Sequence, residues 1–217
     1  MMQLVIANKN YSSWSMRPWV LMKHFDLPFQ ETLVLLAQPD TADIIRRYSP
    51  SGRVPCLIDG PVTVWDSLAI CETLAERFPE KALWPVDPVA RARARSISAE
   101  MHAGFGALRS NMPMNVRART SADRVKHLDA ETHADIVRID AIWSEALAHS
   151  GGPFLYGDFS IADAMYAAVV MRFQTYGPAL SSASAAYAER IIALPAVQSW
   201  IADAQKEPAI ARYDEVL

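Results

Sequence analysis

The sequence is poor in cysteine: its 217 residues hold two, Cys56 and Cys71. Neither belongs to a Cys-x-x-Cys pair or a His-rich spacing, so no metal site or dithiol redox motif is readable. Both stand in apolar contexts, where buried free thiols of a reducing cytoplasm are expected rather than a disulfide. No apolar run reaches the roughly 18 residues of a membrane span. The opening residues, Met1-Met2-Gln3-Leu4-Val5, lack a basic segment and a cleavage signal. No secretory peptide is therefore expected, and the protein is placed in the cytoplasm. A large excess of one sign of charge is lacking as well. A formal net charge of −3 gives no electrostatic case for nucleic acid or an anionic membrane. There is no internal repeat and no low-complexity segment.

What is present is ordinary for a soluble globular protein: 51% hydrophobic and 21% charged residues, enough for one large domain or two small ones. The first part alternates strand and helix. Residues 4–7 read as a buried strand, 15–25 as a helix with Pro18 in its first turn, 29–36 as a strand and 40–48 as a short helix. Residues 56–58 and 62–64 flank Asp59-Gly60, a hairpin signal. Residues 67–78 carry Leu68, Cys71, Leu74, Ala75 and Phe78 at helical spacing. This order fits a small mixed sheet with helices on its faces. After Trp84-Pro85-Val86-Asp87-Pro88 everything reads as helix. One long stretch covers 89–119 with a break at Pro113, a second covers 121–149, and shorter helices cover 160–176, 183–193 and 195–205.

The chain is organised around Asn10-Tyr11-Ser12-Ser13-Trp14-Ser15-Met16-Arg17, where a strand hands over to a helix. The first N–H groups of a helix lack internal partners and carry partial positive charge, so an anion is stabilised there. Ser12 and Ser13 are good helix caps. They could equally donate to a thiolate, which must belong to a bound cofactor because the turn has no cysteine of its own. Arg53-Val54-Pro55 precedes a strand. It is either an ordinary edge proline or a cis bond that turns the Val54 backbone toward a peptide-like ligand. Asp66-Ser67 opens the next helix, as a cap or as a holder for a zwitterionic amino-acid end. Ser160 and Asp163 form a capping-box pattern, with Phe159 before it, that reads as structural. Arg109 and Arg172 have apolar neighbours and need either an internal partner or a ligand carboxylate.

In this order and spacing, these motifs resemble the cytosolic glutathione transferase family over essentially the whole chain. Within it, Ser12-Ser13-Trp14-Ser15-Met16-Arg17 is most similar to the Ser-Ser-Cys-x-x-Arg motif of the zeta class, with Trp14 where that class has cysteine. The resemblance implies an α/β thioredoxin-like domain over 1–80, a linker over 81–88 and an all-α domain over 89–217. It implies a detoxification-type transferase that works as a homodimer. Glutathione would be the co-substrate, with no metal, and a small electrophile the acceptor. It implies that Ser12, or Ser13, activates the glutathione sulfur with Arg17 beside it. Arg53, Val54 and Pro55 would bind the cysteinyl backbone, and Asp66 and Ser67 the γ-glutamyl end. Trp14, Phe105, Arg109, Met112 and Arg172 would line the acceptor pocket. Two alternatives stay open: a glutathione-dependent cis–trans isomerase of a maleyl-type dicarboxylate, and a non-catalytic interaction protein on the same fold.

Overall fold

The structure is a computed structural model, and it describes residues 1–215. Strand β1 (Met2–Ala7) lies at the centre of a four-stranded sheet ordered β2-β1-β3-β4. Leu4, Val5, Ile6 and Ala7 are all fully buried, as expected of a strand covered on both faces. Successive residues point to opposite faces. Met2, Leu4 and Ile6 enter the main apolar core, whereas Val5 joins Val34, Ile45 and Cys56 in a small cluster on the other side.

Helix α1 (Ser13–His24) crosses to β2 (Phe29–Val34), which pairs parallel to β1 with Val5 opposite Thr32. Helix α2 (Thr41–Tyr48) follows. Strands β3 (Cys56–Asp59) and β4 (Val62–Trp65) form the expected hairpin, with β3 antiparallel to β1. Helix α3 (Ser67–Arg77) is capped by Asp66, whose Oδ1 accepts the Leu68 N–H at 2.9 Å. Pro18 stands in the second turn of α1 rather than the first, because the helix already begins at Ser13. The carbonyl of Trp14 thereby loses its i+4 amide partner.

The helical part starts with α4 (Pro88–Ala103), capped by Asp87. The expected run over 89–119 does not continue to Pro113: it ends at Gly104, and Phe105 adopts a left-handed φ of 56°. A Cβ at Gly104 would lie 2.8 Å from the Glu100 carbonyl oxygen, so only glycine fits. The Arg109 guanidinium donates to the carbonyls of Met101, His102 and Gly104. It thus satisfies and charge-matches the exposed end of α4. Helix α5 (Gly106–Asn111) restarts with its Leu108 N–H given to Asp135. The second expected helix is likewise two: α6 (Ala122–Lys126) and α7 (Ala130–Ser150), separated where Asp129 caps α7.

Helix α8 (Ile161–Tyr176) runs through the middle of the molecule and is buried along nearly its whole length. It packs on α1 and α4, so the apolar core is continuous from the sheet to Trp143 and Trp200. Helices α9 (Ser182–Ala193) and α10 (Pro195–Ala204) follow as expected; a short α11 (Ala211–Asp214) had no readable signal. The Ser160–Asp163 capping box is present. The fully buried Asp163 carboxylate also accepts from the Leu155 N–H and the Tyr187 hydroxyl, both at 3.1 Å. Asp163→Ala strands all these donors and is expected to cost about 3 kcal/mol, read as a lowered urea midpoint. A shift below about 1 kcal/mol would show the cap to be dispensable. Cys56 and Cys71 are both buried and free. Among the described residues, no helix is long and apolar enough to cross a membrane.

Candidate functional site

The turn after β1 is held by its own backbone. The Tyr11 and Ser12 N–H groups both donate to the Asn8 carbonyl, at 3.1 and 2.8 Å. Ser12 occupies the cap position of α1, yet its side chain makes no capping hydrogen bond. Its Oγ donates instead to Ser15 Oγ at 2.8 Å, which also accepts the Ala7 N–H at 3.2 Å. Ser13 Oγ accepts from Nη2 of Arg172 at 3.1 Å, across the molecule from α8. The two serines are therefore chemically unlike: one hydroxyl is spent within the turn, and the other is polarised by a cation.

Two adjoining cavities open here. One, of about 610 Å³, is lined by Ser51, Pro55, Trp65, Asp66, Ser67 and His102; the other, of about 450 Å³, by Tyr11, Ser12, Ser13, Arg109, Met114, Arg172 and Tyr213 among others. Trp14, Arg53 and Val54 belong to both. The Val54–Pro55 bond is cis. A larger groove of about 710 Å³ between α4 and α7 shares no residue with either. Ser67 is 1% exposed, and its hydroxyl has no partner among the described residues. A buried hydroxyl left so is uncommon in a folded protein.

The electrostatics are one-sided. Arg17 is 1% exposed, with Nε and Nη1 unpartnered among the described residues. Burial, and then the neighbouring Arg172 and Arg109, push its guanidinium down to about 9. Burial likewise pushes Arg172 down to about 10, with Arg109 adding to the effect. None of these three arginines pairs with a carboxylate among the described residues. Arg17 lines neither cavity; its guanidinium stacks 4.2 Å from the Trp14 ring, and Arg109 lies 5.6 Å from the same ring. Such a cluster, shielded from water, favours an incoming anion.

His102, on the last turn of α4, lines the first of these cavities. Its Nε2 donates to Asp66 Oδ2 at 3.1 Å, and its ring meets Trp14 edge-on at 5.3 Å. Burial pushes the imidazole below its ordinary value, Asp66 opposes this, and Arg17 and Arg109 push it down again. In the sequence it belongs to the stretch 100–115, which the family resemblance puts at the acceptor pocket. Phe105 and Met112 line neither cavity: both side chains are buried in the core, and the Met112 carbonyl accepts from Arg172. Among the described residues, no group of three or more His, Cys, Asp or Glu could hold a metal ion.

Comparison with known proteins shows the family. The glutathione S-transferase N-terminal domain matches residues 11–77, and the glutathione S-transferase C-terminal domain matches residues 122–203. The chain belongs to the glutathione S-transferase family. It is 34% identical to a probable maleylacetoacetate isomerase 1 of Drosophila melanogaster over 155 residues, 70% of this chain and 60% of that protein. It is 35% identical to a probable maleylacetoacetate isomerase of Caenorhabditis elegans over 94 residues, 43% of this chain and 42% of that protein. The chain thus matches less than two thirds of the length of either relative. A glutathione transferase homolog from Burkholderia gl BGR1, solved with bound glutathione, shares the fold with a TM-score of 0.72 at 23% identity, covering 95% of this chain and 99% of that one.

Proposed function

We propose that this protein is a glutathione transferase that conjugates glutathione to a small electrophile. The observation that carries the reading is the buried, unpartnered Ser67 hydroxyl at the start of α3, in one cavity with Val54, Pro55 and Asp66. The Ser67 hydroxyl would receive the γ-glutamyl carboxylate, and Asp66 the ammonium. Val54, shared by both cavities, would pair with the cysteinyl backbone and deliver the sulfur toward the serine turn. There a hydroxyl donor and three uncompensated cations would favour the thiolate over the thiol. The thiolate then forms a C–S bond to the electrophile, and the leaving group departs with its electron pair. Ser13 is the better donor of the two serines, because Ser12 already gives its proton to Ser15.

Residues 1–80 would act as the glutathione-binding domain and 89–217 as the acceptor side. The exposed Val62 and Trp65 on edge strand β4 support a homodimer, and the two free thiols support a reducing cytoplasm. A second reading is a glutathione-dependent isomerase of a maleyl-type dicarboxylate. The relatives named as such isomerases and the unpaired arginines around the acceptor cavity both favour it.

Calorimetric titration with glutathione, followed by a screen of electrophiles and maleyl compounds, tests both readings. Ser67→Ala is expected to weaken glutathione about tenfold, the scale of one hydrogen bond to a charged group. It should leave thermal stability unchanged, since the hydroxyl has no partner among the described residues. Unaltered affinity would remove Ser67 from the site, and a wild-type chain that binds no glutathione would refute the function.

A further inference from the structure

The loop that feeds the serine turn is held by the far end of the chain. Both carboxylate oxygens of Glu207 are spent on consecutive backbone amides: Oε1 accepts the Lys9 N–H at 2.7 Å and Oε2 the Asn10 N–H at 3.0 Å. These amides lie immediately before Tyr11 and Ser12. The Tyr11 hydroxyl is a second anchor. It donates to the Asp214 carboxylate, 2.9 Å from Oδ1, and accepts from the Ile210 N–H at 2.9 Å and Arg117 Nη2 at 3.0 Å. Its one proton and both lone pairs are used, so it has nothing left to offer a sulfur atom beside it. Arg117 also donates to the Glu207 carbonyl, and Asn115 Nδ2 donates to Asp214 Oδ1 at 2.7 Å. The Tyr213 ring packs 5.2 Å from that of Tyr11 and forms a wall of the acceptor cavity.

We propose that the segment 205–215 is a working part of the site: Glu207 and Tyr11 are positioning residues for the serine turn, and Tyr213 sets which acceptors fit. This rests on the glutathione transferase reading. Glu207 fixes where the Ser12 and Ser13 hydroxyls point by clamping the backbone that carries them, which decides how well a donor matches the thiolate. Tyr213 lines the acceptor cavity together with Arg109 and Arg172 and takes up room in it, so compact acceptors are favoured over broad aromatic ones.

The full chain is compared with Glu207→Gln, Glu207→Asp, Tyr11→Phe and Tyr213→Ala. The readouts are the bound-thiol pKa by thiolate absorbance, and kcat and KM with a compact haloalkane and a bulky aromatic electrophile. Glu207→Gln and Tyr11→Phe are each expected to raise the bound-thiol pKa by about half a unit or more and to lower kcat about tenfold. The KM for glutathione should stay within about twofold, because the glutathione contacts are untouched. Glu207→Asp, which keeps the carboxylate, should recover part of the loss. Tyr213→Ala should leave the thiol pKa alone and raise kcat/KM for the bulky electrophile about fivefold relative to the compact one. Since Tyr213 is only half-buried, this variant stays informative even if the Glu207 variants fold poorly. If the unaltered chain binds glutathione and turns over an electrophile, but Glu207→Gln keeps its thiol pKa or Tyr213→Ala keeps the acceptor ratio, the inference is overturned alone. If the unaltered chain binds no glutathione, the function and this inference fall together.

Discussion

Ser13→Ala is expected to lower kcat/KM about 10²-fold with every acceptor, the size of effect seen when one preorganised donor to a developing or stabilised anion is removed. Ser12→Ala is expected to cost less than tenfold. The asymmetry follows from where the protons are. A serine hydroxyl has one proton to give. Ser12 gives it to Ser15 Oγ, which is already fixed by the Ala7 N–H. Ser13 receives an N–H from the Arg172 guanidinium at 3.1 Å and donates to no protein group among the described residues. A hydroxyl that accepts from a cation is a stronger donor in turn. Ser13 lines the same cavity as Val54 and Trp14. The bound-thiol pKa should rise by about 1 to 2 units in Ser13→Ala, about 1.4 kcal/mol for each. Ser13→Thr, which keeps the hydroxyl, should recover most of the rate. A thiolate titration in which Ser12→Ala shifts more than Ser13→Ala would reverse the assignment.

How much of this was legible in the sequence depends on how far apart the partners lie. Leu4–Ala7 as a buried strand, Asp59-Gly60 as a hairpin, and the caps at Asp66 and Ser160 are local signals, and each stands where it was expected. The cis Val54–Pro55 bond was one of two readings, and the backbone adopts it. The failures have separate causes. The helix over 89–119 ends early at Gly104 and the left-handed Phe105, with Arg109 folded back onto the end of α4, a break that periodicity does not register. Phe105 and Met112 have the composition of a pocket lining but point into the core. Tyr11 meets Asp214 across 203 residues of sequence, so nothing near the serine turn announces that the tail holds it. The sequence leaves Arg172 between an internal ion pair and a carboxylate clamp. Among the described residues no carboxylate pairs with it; it contacts a serine and a carbonyl instead.

That arrangement makes Arg172→Met the variant that separates the two proposed activities. Arg172 is 5% exposed and lines the acceptor cavity. Even pushed down to about 10, the guanidinium remains charged at neutral pH, and Arg17 and Arg109 repel rather than balance it. A buried cation without a counter-ion is held at a cost that an incoming carboxylate relieves. Methionine fills a similar volume without the charge. It removes two things at once: the donor to Ser13, which every acceptor depends on, and the partner for a substrate carboxylate, which only an anionic acceptor uses. A neutral electrophile should therefore lose about tenfold in kcat, from the weakened Ser13 donor. A maleyl dicarboxylate should lose about 10³-fold or more in kcat/KM, because a charge-assisted bidentate contact disappears as well. The urea midpoint should change little or rise, since the lost bond to the Met112 carbonyl is offset by removing an unbalanced buried charge. Equal losses for the two substrates would mean that Arg172 acts only through Ser13, and the transferase reading would stand without the isomerase one. A disproportionate loss for the dicarboxylate, in a variant that folds as well as the parent, would place the substrate carboxylate on Arg172 and show what the unbalanced charge in this cavity is there to receive.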